Sequence, residues 1–170
     1  MAPQRQALLL SSSNCHGYSM LEFAKQEICN ILKKNSINEL VFIPYAQKDY
    51  DSYTAKIKEV IEPWGFTVTG LHSYSNLTER INNAKAIFVG GVSETHKGET
   101  RDQRIYEYLE MADSNPVLGL REGSMLHIDG YKLTIKGIAG GVLFQKTDKK
   151  PVVIAPDSDV SFLIEQDKEL

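Results

Sequence analysis

Short apolar runs alternate with amphipathic stretches along the first two-thirds of the chain. Ala7–Leu10 reads as a buried strand that gives way to Ser11-Ser12-Ser13, and Asn14 to Gly17 is turn chemistry. Ser19 and Glu22 have capping-box spacing, and Leu21, Ala24, Ile28, Ile31 and Leu32 follow at helical period. Lys33 and Lys34 close that helix where cations suit the dipole. Leu40–Tyr45 is a continuous apolar strand of the kind covered on both faces. Asp49 or Asp51 caps a helix with apolar positions Tyr53, Ile57, Val60 and Ile61, and Pro63 and Gly65 stop it. Phe66–Leu71 is a third strand, Ser75 or Asn76 caps a short helix carrying Leu77 and Ile81, and Ala86–Gly91 is a fourth strand.

Thr100 to Ala112 has helical spacing with Ile105, Tyr108, Leu109 and Ala112 inward, and Pro116–Leu120 is a fifth strand. The texture then changes. Met125–Ile128 and Tyr131–Ile135 flank Asp129-Gly130, a two-residue hairpin turn signal. Gly140–Phe144 and Val152–Ile154 continue as short strands, and Ser158–Leu170 is a polar, partly helical tail. Alternating strands and helices predict an α/β fold with a mainly parallel, doubly wound sheet and a C-terminal β-hairpin.

Length and composition narrow the class. The 170 residues amount to one ordinary domain, and 42% hydrophobic with 24% charged residues fits a soluble globular chain. The net charge of −3, with no basic stripe, argues against nucleic acid as a partner. Ala7–Leu10 is too short for a signal segment or a membrane span. Cys15 and Cys29 could pair, but two cysteines in a chain of this size read more easily as reduced thiols in a cytosolic protein.

Candidate chemistry gathers after the fourth strand. Gly90 and Gly91 end it, and Ser93, His96, Glu99, Arg101, Asp102 and Arg104 follow around a helix start. Ligands of open α/β sheets bind outside the carboxyl ends of strands, and an arginine fork pairs well with a carboxylate. The plainer reading is a solvated helix start with local ion pairs. Glu122 follows the fifth strand, either as an acid that orients a histidine or as an ordinary loop acid before Gly123. Ser93, His96 and Glu122 could be assembled into a triad, but Gly91-Val92-Ser93-Glu94-Thr95 lacks the second glycine of a nucleophile elbow. His16, His72 and His127 have no metal-ligand spacing, and Gly137–Gly141 lacks the lysine and hydroxyl of a phosphate loop.

Several segments together resemble peptidase E, the α-aspartyl dipeptidase family of serine peptidases. They are Leu8–Ser13, Val41–Ala46, Val68–His72, Ile87–Gly91, His96-Lys97-Gly98-Glu99-Thr100-Arg101 with Gln103-Arg104-Ile105, and Gly119–Gly123. The resemblance is collinear from about Ala7 to Phe144 and implies a glutamine-amidotransferase-like α/β fold. It implies no cofactor, and hydrolysis of dipeptides with N-terminal aspartate by a serine nucleophile, a histidine base and an orienting acid. On this implication Arg101 would hold the substrate's aspartate side chain. Glu122 would be the acid near the site, and Gly90 and Gly91 would form the loop whose N–H groups stabilise the oxyanion.

The chain departs from the family pattern directly after Gly91. No Gly-x-Ser-x-Gly and no Asn-Pro-His occurs anywhere in it. The expectation is therefore a single domain internally shortened after Gly91, lacking the family's nucleophilic serine and base histidine and inactive alone. Ser93 and His96 are the weak alternative catalytic pair. The other readings are a non-catalytic form that keeps an aspartate-binding half-site, and a small-molecule-binding α/β module. The sequence leaves the oligomeric state open.

Overall fold

The computed structural model describes residues 6–91, 101–147 and 150–165. In chain order its elements are β1 (Gln6–Leu10), α1 (Lys25–Lys34), β2 (Glu39–Ile43), α2 (Tyr50–Ile61), β3 (Thr67–Gly70), α3 (Leu77–Asn83) and β4 (Ile87–Val89). These are followed by α4 (Arg101–Leu109), β5 (Val117–Leu120), β6 (Ser124–Asp129), β7 (Lys132–Gly137), β8 (Gly141–Phe144), β9 (Val152–Ile154) and α5 (Phe162–Glu165). The chain is an α/β protein whose described strands form three three-stranded sheets. It divides into two compact units, one of residues 25–94 and one of residues 1–24 with 95–170.

In the first unit β2 lies between β3 and β4, parallel to both. Its Leu40, Val41 and Phe42 are buried, as are Val68 on β3 and Ile57 and Ile61 on α2. A buried strand with apolar side chains on both faces is what the unbroken run Leu40–Ile43 anticipates. Each such side chain contributes roughly 1.5–3 kcal/mol by leaving water. The helix ends are locally determined. Asp49 Oδ1 accepts the Ser52 N–H at 2.9 Å to cap α2, and Asn76 Oδ1 accepts the Glu79 N–H at 3.1 Å to cap α3.

The second unit holds two antiparallel sheets, β1-β6-β7 and β5-β8-β9. Leu126, Leu133, Ile135 and Val160 form its core, with Leu118, Leu120, Ile128 and Ile154 packed against them. The segment before α5 runs beside β7. There the Ile135 N–H donates to Ser158 O at 3.0 Å and the Val160 N–H to Leu133 O at 2.9 Å.

Three expectations change. The five strands predicted side by side divide among the sheets: β2, β3 and β4 make the parallel trio, whereas β1 pairs antiparallel with β6 and β5 with β8. An apolar run specifies burial, and both parallel and antiparallel partners satisfy it. The hairpin turn is Gly130-Tyr131, one residue later than Asp129-Gly130, because Asp129 pairs with Lys132 in register. The predicted first helix begins at Lys25, after a 3-10 turn at Glu22–Ala24. Leu21 takes a left-handed backbone with φ 60° and is buried, so the chain turns sharply there before it can become helical. Half of the capping box survives, with the Ser19 N–H donating to Glu22 Oε2 at 2.7 Å.

Candidate functional site

The parallel trio places the ends of β2, β3 and β4 along one edge, which is where ligands of such sheets lie. The first turn of α2 is keyed to all three strand ends. Tyr50 packs edge-on to Tyr45, just beyond β2, with ring centroids 5.2 Å apart. Asp51 Oδ1 pairs with His72 Nε2, just beyond β3, at 2.9 Å. Tyr53 reaches the glycines that follow β4, its hydroxyl donating to the Gly91 carbonyl at 3.3 Å.

Two glycines make these contacts possible. A Cβ on Gly70 would lie 2.4 Å from His72 Cε1 and 2.9 Å from Thr54 Oγ1. A Cβ on Gly90 would lie 2.7 Å from Tyr53 Cε1 and 2.9 Å from Phe42 Cζ. Both positions therefore need a bare Cα for the side chains above them to seat. Around Gly91 the Cβ direction is open, with nothing within 4 Å. The Gly90 N–H is already committed to Ile43 O at 3.0 Å, extending the ladder by one bond.

Of the residues singled out from sequence, Gly90 and Gly91 thus lie at the carboxyl edge of the trio. Glu122 belongs to the other unit. It lies in the turn after β5, and its Oε1 accepts the His16 N–H at 2.9 Å. Cys15 Sγ lies beside Gly123, where an added Cβ would approach it to 2.9 Å. Arg101 opens α4, and only its backbone is described. Ser93 and His96 lie outside the described residues. Cys15 and Cys29 are free thiols.

Tyr53 and the His72–Asp51 pair were not singled out for chemistry in the sequence. The signal for Tyr53 was present: it precedes Ile57 and Ile61 on one helical stripe, at the end of the stripe that a strand-to-helix connection brings to the carboxyl edge.

The opposite, amino-terminal edge carries an ion pair between Arg80 and Glu39. Arg80 Nη2 donates to Glu39 Oε1 and, at 3.3 Å, to Thr69 Oγ1, and the Thr69 hydroxyl donates to Glu39 Oε1 at 2.9 Å. The Arg80 hydrogen bond, then that of Thr69, holds the Glu39 carboxyl below the usual glutamate range, and Glu39 in turn raises Arg80. A polar hollow of about 250 Å³ lies beside this pair, between Asn38, Asn83 and Lys85. Among the described residues no group of three or more His, Cys, Asp or Glu is arranged to hold a metal ion. No described helix is long and apolar enough to cross a membrane.

Comparison with known proteins decides the family. A profile of peptidase family S51 matches residues 7–95, just over half of the chain. The chain belongs to peptidase family S51. A Drosophila melanogaster protein named probable alpha-aspartyl dipeptidase is 28% identical over 242 residues, covering 98% of this chain and 100% of that protein. Peptidase E of Streptomyces coelicolor is 28% identical over 233 residues, covering 93% and 94% of the two chains. Peptidase E of a Nostoc species is 24% identical over 238 residues, covering 95% and 98%.

The S51 chain described here is shorter than these relatives. The match to the Drosophila protein runs over 242 residues and the chain has 170, so at least 72 positions (242 less 170) have no residue here. Because nearly the whole of both chains is covered, the shortfall is internal to the match.

Proposed function

We propose that this chain is a shortened α-aspartyl dipeptidase that keeps part of the site for a dipeptide with N-terminal aspartate and does not itself hydrolyse it. The observation that carries the reading is the internal shortfall together with the absence of any Gly-x-Ser-x-Gly or Asn-Pro-His from the sequence. We place the missing segment directly after Gly91 in what is otherwise one domain. We read the parallel trio as the surviving part of a doubly wound, glutamine-amidotransferase-like sheet.

Peptide hydrolysis of this type needs a nucleophile beside a base, facing donors already aimed at the developing oxyanion. In our reading the substrate parts remain. Arg101 takes the aspartate carboxylate, for which a guanidinium fork is suited. Glu122 is the carboxylate that in a complete member orients the base. The glycine loop supplies the oxyanion donor, and because the Gly90 N–H is held by Ile43, that role falls to Gly91. No cofactor enters this chemistry. Free thiols at Cys15 and Cys29 support a reducing compartment such as the cytoplasm.

Loss of a triad nucleophile costs on the order of a million-fold in turnover. Ser93 and His96 would compensate only if they were held within hydrogen-bond reach of each other and of the scissile carbonyl. The test is an aspartyl-leucine cleavage assay on the chain and on Ser93→Ala. No detectable turnover in either is expected. Robust turnover that disappears in the variant would overturn the reading and make Ser93 the nucleophile. Retention of the half-site is tested by titrating aspartyl-leucine, which Arg101→Ala should bind at least tenfold more weakly, the loss of about 1.4 kcal/mol from a charge-assisted pair.

A further inference from the structure

We propose that the polar hollow at the amino-terminal edge of the parallel trio is a binding site for a small oxyanion, a carboxylate or a phosphate, held by Arg80 Nε and Lys85 Nζ with the side-chain amides of Asn38 and Asn83. The site lies at the edge opposite Gly90 and Gly91 and is independent of the dipeptide reading.

Arg80 is its fixed part. The Nη2 group donates to Glu39 on β2 and to Thr69 on β3, and the guanidinium carbon lies 4.7 Å from the centroid of the Tyr74 ring, in the segment before α3. Contacts from three directions set the plane of the guanidinium before any ligand arrives. Within that plane the Nε atom is buried and has no acceptor. A buried donor of this kind has given up water without gaining a partner, which is uncommon in folded proteins. Arg80 lines the hollow, and an oxyanion bound there would supply the acceptor through a charge-assisted hydrogen bond.

Charge decides the sign of the ligand. Glu39 also lines the hollow, and its carboxylate is neutralised by Arg80. Lys85 is exposed on the same lining and forms no ion pair with a described carboxylate. With Arg80 and Lys85 set against Glu39, the lining keeps a net positive charge. Two helices end beside it, and helix C-termini carry a partial negative charge that opposes an anion. That charge is met locally, by Lys33 and Lys34 in the last turn of α1 and by Arg80 in that of α3. Carbonyls of both last turns are engaged as well. The Ser36 N–H donates to Lys33 O at 3.1 Å, the Ile37 N–H to Leu32 O at 2.9 Å and the Ala84 N–H to Ile81 O at 3.2 Å.

The side-chain amides of Asn38 and Asn83 make no hydrogen bond to a described residue, so each has donors to offer an oxyanion. Size sets the remaining limit. The hollow holds about 250 Å³, below the roughly 300–1,000 Å³ of pockets for drug-sized molecules, so the ligand is small.

The test titrates the chain with inorganic phosphate and, separately, with succinate, each beside sodium chloride at matched ionic strength. The Arg80 Nε–H and the Asn38 and Asn83 side-chain amide signals are followed by NMR. At least one of the two anions should shift all three in a saturable way that chloride does not reproduce, with the Nε–H moving downfield. Lys85→Gln removes the unpaired charge at an exposed position, so it should weaken binding roughly threefold or more without moving the thermal midpoint. Asn83→Ala, also at an exposed position, should weaken it too. Saturation by phosphate alone would identify a phosphate ligand, by succinate alone a carboxylate, and by both a general oxyanion site. Signals that drift without saturating, or that follow chloride equally, would overturn the proposal. Saturable binding left unchanged by both substitutions would overturn it as well.

Discussion

The backbone N–H of His16 donates to Oε1 of Glu122 at 2.9 Å, tying the loop that follows β1 to the turn that follows β5. The loop after β1 also meets the start of β6, where the Ser11 N–H donates to Ser124 O at 3.1 Å. Glu122 is thus a structural acceptor whatever else it does. Glu122→Ala should destabilise the chain by about 1 kcal/mol, the net worth of one hydrogen bond to a charged group near the surface. Glu122→Gln, which keeps an acceptor oxygen, should cost less. Urea unfolding of the three proteins checks this, and equal midpoints for all three would show that the contact contributes nothing.

The seat of His72 on Gly70 gives a prediction with its own control. Gly70→Ala puts a methyl group 2.4 Å from the imidazole, so the ring must leave and the pair with Asp51 must break. Overpacking of this kind costs roughly 1–3 kcal/mol. In a His72→Ala background the methyl group meets less obstruction, and the same substitution should cost well under half as much. A double-mutant cycle by chemical denaturation measures the difference, and additive effects would place the strain elsewhere.

Glu39 sets a pH dependence whose sign follows from its partners. Its folded carboxyl is held below the usual glutamate range, first by the Arg80 hydrogen bond and then by that of Thr69. The unfolded chain therefore takes up this proton first as pH falls. The stabilisation is present at neutral pH and is lost progressively as pH drops below the ordinary glutamate range toward the lower folded value. The pair is partly exposed to solvent, which limits its contribution to about 0–1 kcal/mol at neutral pH. Glu39→Gln should lower the urea midpoint at pH 7 and leave it little changed at pH 3. A deficit of the same size at both values would rule out the ion pair as its source.

What could be read from the sequence was mostly what neighbouring residues decide among themselves. Asp49 and Asn76 cap their helices because a short polar acceptor before an amphipathic stretch suffices. Leu40–Ile43 became the buried middle strand because it is apolar on both faces. Pairing partners are not local. Leu8–Leu10 looks the same whether its neighbour is a parallel strand or β6, more than a hundred residues later. The left-handed Leu21 was equally hidden, since its burial outweighs a backbone cost that no propensity would accept. At the candidate site the glycines after β4 were conspicuous, but Tyr53 looked like one more apolar position. Its contact with the Gly91 carbonyl follows from its place at the end of the stripe, which only the parallel pairing of β2 with β4 reveals.

The last prediction concerns the edge that shortening would leave. Among the described residues β4 pairs with β2 alone, and its Val89 and Ile87 are 64% and 43% exposed. In our reading the missing segment begins just beyond this strand, and its loss would leave β4 without a further neighbour and cover. An apolar strand with an open ladder is a template for pairing with another chain. The chain should therefore associate as its concentration rises and unfold at a modest temperature. Val89→Lys places a charge on the exposed position, the means by which natural edge strands discourage pairing. It should reduce association without lowering the thermal midpoint, because Val89 contributes little burial. Sedimentation velocity across a concentration series, beside thermal unfolding of both proteins, makes the comparison. A chain that stays monomeric and melts cooperatively at high temperature would mean that β4 is covered and the sheet has closed over the missing segment.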